Sequence, residues 1–273
     1  MNTAEKLLDS NPFAYLKPDD LANFKFSSVT EMLAIPAIRH IAALRRWETF
    51  VRDGMKFRLA PSMSDKIAES TVSYNIQGIH NSIQSIASLE RSELVFRPVM
   101  AIDRVYSYPM RRVFPEVSML LVGSRTEYEI FMALGYGIEQ SKLSALDLIS
   151  YSPYVEPGDM HAMPYPDNSF DVVILGWVLA YSNDPKAAAR EVIRVCRNKA
   201  IVSAGHDSIA PSEEKHTFNQ IARPRSAAEL LELFAPSVGT LFFRHDPHLP
   251  AAYRSKENPH FEGHSIATFE ISK

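Results

Sequence analysis

A chain of 273 residues, 46% of them hydrophobic, is long enough to bury a sheet between helical layers and to carry a further element beside it. Its 29 Lys and Arg against 32 Asp and Glu leave a formal net charge of -3, which advertises no basic surface for nucleic acid. The single cysteine, Cys196, excludes an intrachain disulfide and suits a reducing compartment. The first residues lack the apolar core of a signal peptide, and no run reaches the roughly 20 apolar residues of a membrane span, so the expected location is cytoplasmic.

Residues 1–113 read as a mostly helical region. Ser28-Val29-Thr30-Glu31 has the spacing of a capping box, with Ser28 as cap and Glu31 reaching back to it. Apolar positions come next at Met32, Leu33, Ile38, Ile41 and Leu44, and Pro36 marks a kink or a break between two helical pieces. Ser64 is the expected cap of a further helix, with Asp65 in its first turn and Ile67, Val72, Ile76, Ile79, Ile83 and Ile86 at helical spacing. Two placements are open for this region: a cap over the ligand edge of a carboxyl-terminal sheet, or an appendage packed away from that edge.

Over residues 114–273 short apolar strands alternate with helices, the rhythm of an α/β doubly wound, mostly parallel sheet. Strands are expected at 118–122, 144–148, 171–175, 200–204, 240–244 and 265–271, and helices at 127–134, 185–195 and 226–234. Ligands of such sheets bind beyond the carboxyl ends of the strands. Gly123 lies at the first such end, and Asp147 lies at the second, where an acid can accept hydrogen bonds from both hydroxyls of a ribose. Further on, Gly158-Asp159-Met160 marks a chain reversal that would set a carboxylate and a thioether at the mouth of a cleft. Pro164, Pro166, Asp167 and Asn168 interrupt regular structure, and Phe170 to Leu175 is an apolar run bounded by turn residues. Gly176 and Trp177 then border the pocket.

The stretch from Gly158 to Pro185, containing Met-Pro-Tyr-Pro-Asp-Asn-Ser-Phe-Asp ahead of that strand, resembles the cofactor half of class I S-adenosylmethionine-dependent methyltransferases with a type 11-like domain. The resemblance implies a Rossmann-like fold closed by an antiparallel strand pair. It also implies S-adenosylmethionine as cofactor, Asp159 and Met160 at its adenine, and methyl transfer to a small or carrier-linked acceptor. Family members carry a Gly-x-Gly-x-Gly loop after the first strand; here Gly123 remains, while Arg125 and Glu127 stand at the other two glycine positions and Leu121 replaces an acid. A non-glycine residue in the left-handed region costs on the order of 1 kcal/mol, so a different loop path is one expectation. Arg125 has two readings, as a fork for the cofactor's methionine carboxylate or as a partner of neighbours at a helix start.

Other residues carry further alternatives. Tyr151 and Tyr154 could wall the adenine or the acceptor cavity, or simply pack. His206 and Asp207, after the 200–205 run, are the expected catalytic base and its orienting acid, with His161 and Tyr181 as weaker alternatives. His245, His248, His260 and His264 lack cysteine partners and a His-Glu-x-x-His helix, and read as a solvated loop rather than a zinc site. Two rival functions stand beside methyl transfer: a non-catalytic binding or regulatory protein on this fold, and a nicotinamide-dependent enzyme, which the missing Gly-x-Gly-x-x-Gly pattern disfavours.

Overall fold

The computed structural model describes residues 28–63, 69–87, 101–106, 116–209, 224–246 and 261–273. Ser28 caps α1 (Val29–Ala34), its hydroxyl accepting from the Glu31 N–H at 3.2 Å. Pro36 occupies the first turn of α2 (Pro36–Arg52), where its missing N–H costs nothing, so the proline separates two helices rather than kinking one. The expected cap Ser64 lies outside the described residues, but its helix is present as α3 (Glu69–Ala87), with Ile79 and Ile83 buried.

The main sheet has seven strands: β2 (Met119–Val122), β3 (Leu143–Asp147), β5 (Glu156–Pro157), β6 (Phe170–Gly176), β7 (Cys196–Ile209), β8 (Val238–His245) and β9 (Phe261–Ile271). Their spatial order is β5-β3-β2-β6-β7-β9-β8. Pairing is parallel from β5 to β7, and β9 runs antiparallel to both β7 and β8. A small antiparallel pair, β1 (Arg58–Leu59) with β4 (Ile149–Ser150), ties the amino-terminal region to the sheet.

Alternation along the strands divides the core into two layers. Leu120, Val122, Val173, Leu175, Val202 and Ala204 face α5 (Pro185–Val195) and α6 (Ala227–Glu232). Met119, Leu121, Val172, Ile174 and Ile201 face the opposite way, toward α4 (Glu127–Gly135) and the helical residues 101–106. A third cluster joins Leu33, Ala43, Ile79 and Ile83 of the amino-terminal helices to Tyr128, Phe131, Ile149 and Tyr151.

The Pro-punctuated loop before β6 is held by one side chain. Arg194 donates to the carbonyls of Met163 and Tyr165 and to the carboxylates of Asp167 and Glu191, and Glu191 in turn accepts from the Met163 N–H. Asn168, at φ 56°, supplies the left-handed residue that returns the chain to β6. Much of the recognisable motif is therefore loop scaffolding.

Candidate active site

Gly123 follows β2 at φ +82°, and a Cβ there would stand 2.6 Å from the Cβ of Val178, so both backbone and space demand glycine. Arg125 and Glu127 are absent from the residues with positive φ, so neither takes the strain that their replacement of glycine predicts. The loop instead converts early into helix. Thr126 caps α4, its hydroxyl accepting from the Tyr128 N–H and donating to Glu129 Oε2 at 3.0 Å. Thr126-x-x-Glu129 is a capping-box spacing that the sequence alone displays.

Glu127 is the first residue of α4 and its carboxylate turns away from the strand ends to Arg46 Nε, 2.9 Å away on α2. The Tyr151 hydroxyl accepts the Glu127 N–H at 3.3 Å while its ring packs on Trp47 and Phe50. Glu127 therefore takes the helix-start role, and Tyr151 packs into the helical layer instead of walling an adenine. Tyr154 is more exposed and lies edge-on to Phe131.

Arg125 does face the ligand edge. Its guanidinium lies 4.8 Å from the ring centroid of Tyr181 and against Gly78 of α3, where a Cβ would sit 3.2 Å from Nη1. Burial works to lower its pKa, but Tyr181 and Asp147 outweigh it and hold the group above its usual value. No carboxylate of the described residues forms an ion pair with it. Asp147, the last residue of β3, is pushed up to about 6 by burial, against the pull of Arg125 and of the Ile149 and Leu148 N–H groups. Glu129 behind it is pushed up to about 7, again by burial, with hydrogen bonds from its own and the Thr126 N–H and from the Thr126 hydroxyl opposing.

At the next strand end, Asp159 Oδ1 lies 2.6 Å from His161 Nδ1, and His161 Nε2 lies 2.7 Å from Ser182 Oγ. The Asp159 carboxyl is held below its ordinary value, chiefly by His161. Met160 is 7% exposed and packs with Met163 in the α5 layer of the core, so its thioether does not stand at a cleft mouth as the sequence suggested.

Gly176 ends β6 opposite Gly205 of β7. Trp177 comes next at φ 64°, an uncommon conformation for so large a residue, and its indole covers Gly205, where a Cβ would approach the ring to 2.6 Å. The indole Nε1–H donates to Asp207 Oδ1 at 2.8 Å.

The expected pairing of His206 with Asp207 is corrected here. β7 continues to Ile209, so both residues lie within a paired strand and point to opposite faces. His206 is 1% exposed, its Nδ1 donates to the Asp207 carbonyl at 3.0 Å, and its Nε2 has no hydrogen-bond partner among the described residues. The Asp207 carboxylate instead meets Nδ1 of His264 at 2.9 Å, a member of the histidine set whose sequence reads as a solvated loop rather than a zinc site. Of that histidine set, His245 is on β8, and His248 and His260 lie outside the described residues. Among the described residues, no group of three or more His, Cys, Asp or Glu is placed to hold a metal.

The sheet thus carries a reversed β9 between β7 and β8 and an acid at the end of β3. Residues 136–204 match the model of a protein family described as a methyltransferase domain. No curated protein gives a significant match. Among solved structures, the chain is similar to the [4+2]-cyclase SpnF, at 18% identity and TM-score 0.44, over 57% of this chain and 74% of that one. It is similar to the MccD protein at 12% identity and TM-score 0.47, over 63% and 96% of the two chains. It is also similar to the N-methyltransferase NodS from Bradyrhizobium japonicum WM9 in complex with S-adenosyl-l-homocysteine, at 14% identity and TM-score 0.44, over 65% and 86%.

Proposed function

We propose that this chain transfers the methyl group of S-adenosylmethionine to a small or carrier-linked acceptor, in the cytoplasm. The observation that carries the reading is Arg125 beside Asp147 at the carboxyl ends of β2 and β3. The two groups fit the cofactor: an enclosed cation for its methionine carboxylate, and a carboxylate for its ribose hydroxyls. Asp159 would accept from the adenine amine. When bound, the cofactor supplies a methyl group on a sulfonium and leaves as a thioether.

The chain's own residues orient and enclose. Arg125 and Asp147 fix the two ends of the ligand, and Trp177 borders the pocket at the end of β6. The amino-terminal helices act as a cap, a role supported by Gly78 lying against Arg125 and by the Tyr74 ring 6.4 Å from that of Tyr181. Among the described residues no helix is long and apolar enough to cross a membrane. A non-catalytic binding protein is the second reading, favoured by the replacement of two loop glycines with Arg125 and Glu127.

Calorimetry with S-adenosylmethionine, S-adenosylhomocysteine and NAD tests the assignment. The first two should bind and NAD should not; binding of NAD alone would overturn it. Methyl incorporation from labelled cofactor across an acceptor panel then separates the enzyme from the binding protein.

A further inference from the structure

We propose that His264, oriented by Asp207, accepts the proton released by the acceptor during methyl transfer, an inference that rests on the function proposed above. Because β9 is antiparallel to β7, its first residues stand beside the last residues of β7, and Asp207 pairs in register with His264. Both therefore lie at the end of the sheet that holds Gly123, Asp147 and Trp177. Asp207 Oδ1 receives two donors, Trp177 Nε1–H at 2.8 Å and His264 Nδ1 at 2.9 Å. An ionised carboxylate can only accept, so the imidazole proton sits on Nδ1 and the basic lone pair is on Nε2.

The tryptophan contributes to this arrangement at a conformational cost. Its positive φ, of order 1 kcal/mol or more for a non-glycine residue, turns the indole across Gly205 so that Nε1–H meets Asp207. The same indole stands edge-on to His264, with centroids 5.4 Å apart and planes at 83°. The His264 side chain keeps 20% exposure and Asp207 22%, whereas His206 is 1% exposed and on the other face of the sheet. The Asp207–His264 pair is thus oriented by the indole and partly exposed.

In the step, a lone pair of the acceptor atom forms the bond to the methyl carbon while the sulfur–carbon pair stays on sulfur. The acceptor's proton passes to His264 Nε2, and the imidazolium is stabilised by the Asp207 carboxylate. His264 acts on the acceptor, and Asp207 and Trp177 position it.

The test uses an S-adenosylmethionine analogue in which an aziridine ring replaces the methylsulfonium centre, an electrophile that alkylates a basic side chain standing beside the transfer path. Calorimetry with S-adenosylhomocysteine comes first, and absence of binding there would remove the methyl-transfer reading itself. Given binding, peptide mapping by mass spectrometry should place the adduct on His264. His264→Gln should abolish that adduct with the S-adenosylhomocysteine dissociation constant unchanged, and Asp207→Asn should slow its formation at least tenfold. Nitrogen-15 imidazole spectra should show His264 protonated on Nδ1 in the unaltered protein and a tautomer mixture in Asp207→Asn. An adduct elsewhere, no adduct despite binding, or an Nε2–H tautomer in the unaltered protein would overturn the proposal.

Discussion

Arg46 Nε stands 2.9 Å from Glu127 Oε2, joining the amino-terminal helical layer to the first residue of α4. The Glu127 side chain is fully enclosed and that of Arg46 is 41% exposed, so the acid depends on the arginine more than the reverse. Arg46→Ala should lower stability to urea by about 1–3 kcal/mol, the cost of a buried group that loses its partner. Arg46→Ala combined with Glu127→Gln should cost less than the sum of the single changes. Additive costs would show that the two side chains do not depend on each other.

Glu129 gives a pH dependence whose sign is fixed. Burial raises its carboxyl from the ordinary 4.5 to about 7, so the folded state holds a proton that the unfolded state releases. Stability is then fully present below about 4.5 and is lost as pH rises to about 7, by an amount on the order of 3 kcal/mol. Asp147 acts in the same direction between 3.8 and about 6. Glu129→Gln, which can still serve the capping box, should flatten this slope and be more stable than the unaltered protein at pH 8. Urea midpoints measured from pH 5 to pH 8 decide it, and parallel curves would contradict the assignment.

Arg125 and Asp147 should separate by ligand. Asp147→Ala should weaken both S-adenosylmethionine and adenosine, by about 1.5–3 kcal/mol, since both carry the ribose hydroxyls. Arg125→Ala should weaken S-adenosylmethionine while hardly affecting adenosine, which has no carboxylate, and Arg125→Lys should restore only part because an ammonium lacks the planar fork. Equal weakening of both ligands by Arg125→Ala, measured by calorimetry, would point to loop damage instead.

Gly205 reports on the Trp177 arrangement. A methyl group there would meet the indole at 2.6 Å, so Gly205→Ala must displace the ring and stretch its hydrogen bond to Asp207. Overpacking of this kind costs about 1–3 kcal/mol. Thermal unfolding should show the loss, and tryptophan fluorescence should show a changed indole environment. An unchanged spectrum in the folded variant would mean that the indole does not lie on Gly205.

What the sequence determined by itself was local. The apolar run of β6 between turn residues, the Asp184-Pro185 start of α5 and the Ser28 cap all act over a few residues, and each stands where its spacing places it. The acid at the end of β3 was legible for the same reason, since strand length and turn position fix it. Tertiary structure decided the partners. β5 has only two residues and no periodicity to read, Glu127 finds its cation 81 residues away, and Asp207 finds His264 57 residues away. The neighbouring His206 looked like the natural partner, but strand alternation sends adjacent side chains to opposite faces, while antiparallel register brings distant ones together. Nothing in the order of residues along one strand reveals which strand will lie beside it.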